Sequence, residues 1–316
     1  MPNNHKISIV VPTYNEAENV LPMCEALISL MTEALPQYAY EIIFIDNFST
    51  DGTREIIEGL CAEHSTVRAI FNARNFGQFN SPYHGICAAT GDCVIPICAD
   101  FQDPVELIPT LVAKWETGEK VVCAVKRTSR ENPLMRLART VYYKLMRRTS
   151  SAGFIEHFTG FGLYDKSFVE ILKGLDDPTP FLRGIVAELG FRVALVPYEQ
   201  QKRRAGRTHN NFSTLYDAAM LSVTTYTAVP IRAIIWVGAV GAFAGLVLAA
   251  VFLIRGLWGA FFDPVWWLFA LTCVLFGILT LAIGMLGEYL LLLRGKLLRR
   301  PLVVEERRIS FEHDRE

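Results

Sequence analysis

Two long stretches of this chain carry no charge. Neither Ala233–Ile254 nor Pro264–Gly287 contains Asp, Glu, Lys or Arg, and only Arg255 and Asp263 are charged between them. A helix that crosses a hydrocarbon core needs roughly 20 apolar residues, and each run is long enough. The alternative is a pair of helices buried in a large soluble core, but two adjacent runs of this length favour spanning. The expectation is a two-helix anchor over residues 231–293, with spans at about 232–254 and 264–290. Met1–Lys6 is polar and has no apolar signal region, so no secretory signal peptide is expected.

The flanks set the orientation. Arg232 precedes the first run, and Arg294, Lys296, Arg299 and Arg300 follow the second with no acid among them. Positive charge favours the cytoplasmic side. Both termini, including a tail over residues 294–316, are therefore expected in the cytoplasm, with the short connection outside and the protein integral to the cell inner membrane. Trp258, Trp266 and Trp267 suit an aromatic belt at the outer interface.

Hydrophobic residues make up 51% of the chain, and 31 basic residues nearly balance 32 acidic ones. A disordered chain would be less apolar and more highly charged. A protein that binds nucleic acid through bulk charge would be basic, so no nucleic-acid partner is expected. The seven cysteines are scattered without a CxxC pair. Cys93 and Cys98 fall on opposite faces of an expected strand, and a reduced cytosolic domain fits.

Residues 1–230 alternate β-rich apolar runs with helical patterns. Strands are expected at Lys6–Thr13, Tyr40–Asp46, Val67–Asn72, Cys93–Ala99 and Lys120–Arg127. Helices are expected at Ala17–Met31, Thr53–Cys61, Ser81–Thr90 and Pro104–Glu116. This alternation implies an α/β fold with right-handed crossovers and a parallel sheet covered on both faces. Ligands of such sheets bind beyond the carboxyl ends of the strands. The residues there are Pro12, Tyr14, Asn15 and Glu16, then Asp46, Asn47 and Asp51, then Asn75 and Gln78, then Asp100, Gln102 and Asp103. Oxygen ligands from Asp100 and Gln102 would suit Mg²⁺ or Mn²⁺, with substrate phosphates completing the shell. The plainer alternative is helix capping, which fits Asp51 and competes for Asp103. No GxGxxG, GxxxxGK[ST] or GxSxG occurs, which argues against dinucleotide, P-loop and α/β-hydrolase sites.

The ordered set VVPTYNEAENV, FIDNFSTDGT, RNFGQ and ADFQDP resembles the family 2 glycosyltransferases with the GT-A fold. With two C-terminal spans, the whole chain is similar to the polyprenyl-phosphate glycosyltransferases, the group of dolichol-phosphate mannose synthase and the bactoprenol glucosyltransferases. The resemblance implies a GT-A nucleotide-sugar-binding domain with a mostly parallel sheet. It also implies a UDP- or GDP-sugar donor, a polyprenyl phosphate acceptor and a homo-oligomer. Pro12, Tyr14, Glu16, Asp46, Asn75, Gln78 and Asp100 would bind the donor, with Asp46 on the base or ribose, and Asp100 and Gln102 would hold the metal. The sequence departs from the family pattern in four places. Asp-x-Asp reads Cys98-Ala99-Asp100, and Asn47 replaces a second Asp. Gly-Asp-Phe reads Gly160-Phe161-Gly162, and Ser-Lys-Tyr reads Thr208-His209-Asn210.

The lost carboxylate bears on mechanism. Inverting transfer to an alcohol needs a general base. A phosphate monoester has a second pKa near ~6 and is already anionic at pH 7. Such an acceptor calls for positioning and charge stabilisation instead. The candidate catalytic residues are Asp100, Arg127 and Arg130. The candidate acceptor-phosphate ligands are Lys126, Arg127, Arg130, Arg136, Arg203 and Arg204, since Arg matches phosphate with paired hydrogen bonds. Asn132 and Pro133 signal a helix start, and no acid occurs from Pro133 to Arg148. Interfacial amphipathic helices are therefore expected at 133–150 and 211–229. The bases of Lys202–Arg207 suit either a loop closing over the site, as the resemblance implies, or a patch drawn to anionic lipid. Two rivals are a processive polysaccharide synthase, disfavoured because no Gln-x-x-Arg-Trp occurs, and an inactive lipid-binding or scaffold subunit, motivated by Cys98 and Asn47.

Overall fold

The computed structural model describes residues 5–127, 155–175, 177, 180–205 and 301–311, with isolated helical positions between 220 and 293. The strands are β1 (Lys6–Thr13), β2 (Ala39–Asp46), β3 (Val67–Asn72), β4 (Cys93–Pro96), β5 (Val121–Lys126), β6 (Phe158–Asp165), β7 (Val193–Tyr198) and β8 (Glu305–Ile309). The helices are α1 (Ala17–Ala34), α2 (Thr53–Glu63), α3 (Gly77–Ala88), α4 (Ile108–Glu116), α5 (Lys166–Gly174) and α6 (Leu182–Glu188).

The strands form one sheet in the order β7-β5-β6-β4-β1-β2-β3-β8. Strands β1 to β4 pair in parallel, as do β5 and β7. Only β6 and β8 run against their neighbours. Alternation along β1 explains the layering. Ile7, Ile9 and Val11 face α1, α2 and α4, through Met23, Leu27, Ile57, Leu60 and Leu111. Val10, with Ile43, Ile45 and Ile70, faces α3, α5 and α6 through Tyr83, Ile86, Phe168, Leu172 and Ile185. Both faces of the central strands are thus dry, as parallel strands require.

Some boundaries differ from those expected. β4 stops at Pro96 rather than Ala99, because Pro96 has no N–H for a further ladder bond. Cys98 therefore lies beyond the strand, in the loop that carries Asp100. α3 starts at Gly77 rather than Ser81. Its opening turn is tethered: Gly77 N–H donates to Asn75 Oδ1 at 2.8 Å and Phe76 N–H to Asn47 Oδ1 at 2.9 Å. At Gly162, on β6, a Cβ would stand 2.3 Å from the carbonyl oxygen of Val122, so the β5–β6 pairing admits only glycine there.

The domain expected over 1–230 also draws a strand from the expected tail. β8 pairs antiparallel with β3 along Ala69–Asn72. Arg130, Arg136, the helices expected at 133–150 and 211–229, and the first apolar run lie outside the described residues, apart from the helical position Met220. Among the described residues no helix is long and apolar enough to cross a membrane. The described positions of the second run are helical, and Leu268, Phe276 and Ile283 there are exposed.

Candidate active site

The loops after β1, β2 and β3 are stapled into one rim. Asn15 adopts φ 54°, donates its N–H to Ser49 Oγ at 2.8 Å, and accepts at Oδ1 from Thr50 N–H at 2.9 Å. Glu16 N–H donates to Thr53 Oγ1 at 2.9 Å. Asp51 accepts from the N–H groups of Ala17 and Thr53, each at 3.2 Å, and so ties together the starts of α1 and α2, although the N-cap position of α2 is Gly52. Asn47 braces the second and third loops. Its Nδ2 donates to Asn75 Oδ1 at 2.9 Å and to the Gly77 carbonyl at 3.3 Å, while its Oδ1 accepts from Asn72 and Phe76. An aspartate could not make the two donations. The departure at Asn47 thus has a local physical role.

Asp46 ends β2 and is fully buried. Its Oδ2 accepts from Phe48 N–H and Ser49 N–H at 3.1 Å each and from Arg54 Nε at 2.7 Å. Its Oδ1 is buried without a hydrogen-bond partner among the described residues. A buried acceptor left open is costly unless something fills it.

Beside this rim lies a cleft of about 580 Å³. Pro12, Gln78, Asp100, Gln102 and Lys126 line it, as expected of site residues. Tyr14, Glu16, Asp46 and Asn75 are not among its lining residues, and Arg127 is exposed, with its N–H on the Tyr198 carbonyl at 2.9 Å. Asp103, expected at the rim with capping as its competing role, lines the cleft too, as do His157 and Arg183, which no motif marks. Phe79, Pro82, Phe181 and Leu182 form an apolar wall.

Asp100 sits in a tight turn. Gln102 N–H donates to its Oδ1 at 3.1 Å, and Phe101 between them has φ 59°. Among the described residues no three His, Cys, Asp or Glu side chains gather as a metal cage. Asp100 and Gln102 would hold a hard cation only with help from substrate oxygens and water, which is the usual Mg²⁺ arrangement. Cys98 lines the cleft with an exposed side chain, and an unperturbed thiol is mostly neutral at pH 7. A neutral thiol is no ligand for a hard cation.

The loop after β7 crosses this rim. Gln201 N–H donates to the Gln102 carbonyl at 3.1 Å, Arg204 N–H to the Asp100 carbonyl at 3.2 Å, and Asn19 Nδ2 to the Ala205 carbonyl at 3.3 Å. The Arg204 guanidinium lies 5.1 Å over the Phe101 ring. Arg203 hydrogen-bonds Glu16 and holds its Nε 3.6 Å from Asp100 Oδ2. One guanidinium thus bridges two carboxylates expected to serve donor and metal. Burial raises the Glu16 carboxyl, while Asn19 and Arg203 pull it back. Deeper in the cleft Tyr198 donates to Asp103 Oδ1 at 2.5 Å. Burial raises Asp103 and lowers Lys126, and each one's charge opposes the other's shift. Among the described residues no carboxylate stands within ion-pair distance of Lys126 or Arg183.

The chain is similar in sequence to known proteins. A prophage bactoprenol glucosyl transferase homolog of Escherichia coli (strain K12) is 35% identical over 90% of this chain and 93% of its own length. The bactoprenol glucosyl transferase of Shigella phage SfX is 34% identical over the same shares. Mannosyl-3-phosphoglycerate synthase from Rubrobacter xylanophilus, a solved structure, gives a TM-score of 0.49 at 21% identity, over 69% of this chain and 72% of that one. The profile of Glycosyl transferase family 2 matches residues 8–172, which carry most of the cleft lining. The chain belongs to that family.

Proposed function

We propose that this protein moves one sugar, with inversion, from a UDP- or GDP-sugar to a polyprenyl phosphate at the cytoplasmic membrane face. The observation that carries this reading is the composition of the cleft. Asp100, Gln102 and Asp103 line it together with Lys126 and Arg183, which have no carboxylate within ion-pair distance among the described residues, and with the apolar Phe79, Pro82, Phe181 and Leu182. Anionic diphosphate, anionic acceptor and isoprenoid chain each find a matching surface. The names of the bactoprenol relatives point the same way.

In this reading Asp46 Oδ1 accepts a hydrogen bond from the base or ribose, and Pro12 and Gln78 flank the donor. Asp100 and Gln102 hold Mg²⁺ or Mn²⁺, which supplies charge neutralisation on the diphosphate. Lys126 and Arg183 orient the acceptor phosphate. One of its oxygens bonds to the sugar's anomeric carbon as the bond to the diphosphate breaks, and the diphosphate leaves with the electron pair. No proton need move, since the acceptor phosphate is already anionic at pH 7. The exposed apolar residues of the second run, such as Leu268 and Phe276, call for a lipid environment. Two spans, cytoplasmic termini, interfacial helices and a homo-oligomer complete the proposal.

The test is sugar transfer to undecaprenyl phosphate by purified protein, with a panel of UDP- and GDP-sugars. Transfer should occur with one donor, stop with chelator, and fall at least 100-fold in Asp100→Ala. Full activity in chelator would remove the metal assignment. Long polymer products would replace the proposal with a processive synthase.

A further inference from the structure

β8 does more than close the β3 edge. Glu306 accepts from Arg54 Nη1 at 2.8 Å. The same guanidinium gives Nε to Asp46 Oδ2 at 2.7 Å and Nη2 to the Asn72 carbonyl at 2.7 Å. It also lies between the Phe48 and Phe71 rings, 5.2 and 5.5 Å from their centroids. A rigid planar fork bonded on three sides cannot turn without disturbing all three partners. Its orientation fixes which oxygen of Asp46 is occupied. Oδ2 takes three donors, and Oδ1 is buried without a hydrogen-bond partner among the described residues.

The rest of the strand holds Glu306 in register. Glu305 bonds His84 on α3, the helix that also carries Phe79 and Pro82 of the cleft wall. Arg307 lies 4.7 Å over the Phe71 ring and bonds Glu58. Beyond the strand, Phe311 covers Arg68, which pairs with the buried Glu41 at 2.8 Å.

We propose that Glu306 is a positioning residue for the donor nucleoside, acting through Arg54 to aim Asp46. The proposal rests on the donor reading of Asp46 given above. It assigns a role in donor binding to a segment on the far side of the expected anchor, 252 residues from Arg54 in sequence.

The test is titration calorimetry of UDP and GDP, with Mn²⁺ present, against the full chain and three variants. Glu306→Ala removes the acceptor and should weaken nucleotide binding about 3- to 10-fold, the range of one net hydrogen bond. Glu306→Gln keeps a carbonyl acceptor and should restore most of that affinity. Arg307→Ala loosens the same strand without touching Arg54 and should leave nucleotide affinity within about 2-fold of wild type. KM for the lipid acceptor should be unchanged in all three. Binding by wild type that Glu306→Ala leaves unchanged would overturn the relay alone. So would equal weakening by Glu306→Ala and Arg307→Ala, which would mean that only strand stability matters. A wild-type protein that binds neither nucleotide would overturn the donor reading and the relay together.

Discussion

Replacing Arg203 by methionine keeps much of the side chain's length and removes its charge. In the structure Arg203 is the cation between Glu16 and Asp100, whose side chains are 10% and 13% exposed, and its own is 21% exposed. Removing one partner of a buried pair costs about 3–5 kcal/mol, and the partial exposure of Arg203 argues for about 3. For a domain of this size each kcal/mol moves Tm by about 2–4 °C, so a fall of roughly 6–12 °C is expected near pH 8. The deficit should depend on pH. Burial already raises the Glu16 carboxyl, and loss of Arg203 removes one of the influences that lower it. An acid whose folded-state pKa is raised adds stability below its unfolded value, and that stability is lost as pH rises through the folded value. The variant should therefore unfold nearer to wild type at pH 5, toward which a raised carboxyl gains protons, than at pH 8. Adding Glu16→Gln should recover much of the loss at pH 8. Differential scanning fluorimetry in detergent, at both pH values and without nucleotide, measures all of this. A deficit equal at pH 5 and pH 8, or one below about 2 °C at pH 8, would refute the bridge as described.

Two further outcomes follow from the geometry. Gly162→Ala pushes a methyl into the Val122 carbonyl, where backbone rather than a flexible side chain must give way. A loss at or above the usual ~1–3 kcal/mol of overpacking is expected, and a Tm within 2 °C of wild type would contradict the β5–β6 register. Asp103→Asn keeps an acceptor for Tyr198 and removes a carboxyl that burial raises. The native carboxyl favours folding below its unfolded pKa and opposes it above its folded one, so the variant's Tm advantage should grow from pH 4 to pH 8. A pH-independent difference would show that Asp103 is not held up.

The central sheet was legible because its strands are apolar runs ended by polar turns. β1 and β3 begin and end at the residues expected, and β2 misses by one. The rim was legible for the same reason, since strand ends in an open α/β sheet converge whatever the side chains are. What escaped depended on contacts between distant segments. Asp103 precedes a proline at a helix start and looks like a cap, but Tyr198, 95 residues on, draws its carboxyl into the cleft. A guanidinium suits phosphate, which is why Arg203 reads as an acceptor ligand, and its contacts with Glu16 and Asp100 are visible only once the β7 loop is laid over the rim. β8 reads Glu-Glu-Arg-Arg-Ile, which has no apolar alternation. Charge is tolerated there because the strand lies at a sheet edge, and only β3 reveals its partner.

Position along the chain also gives β8 a consequence in time. A ribosome adds about 5–20 residues per second, so Glu306 emerges roughly ten to fifty seconds after Arg54. For that interval β3 shows a bare hydrogen-bonding edge over buried Val67, Ala69 and Phe71, the kind of edge on which sheets aggregate. Both apolar runs are synthesised within the same interval, before the strand that closes the sheet. A nascent chain stalled between them would carry the family's motifs yet lack the third contact on Arg54. The order of synthesis thus places the Arg54–Glu306 contact after both apolar runs have been made.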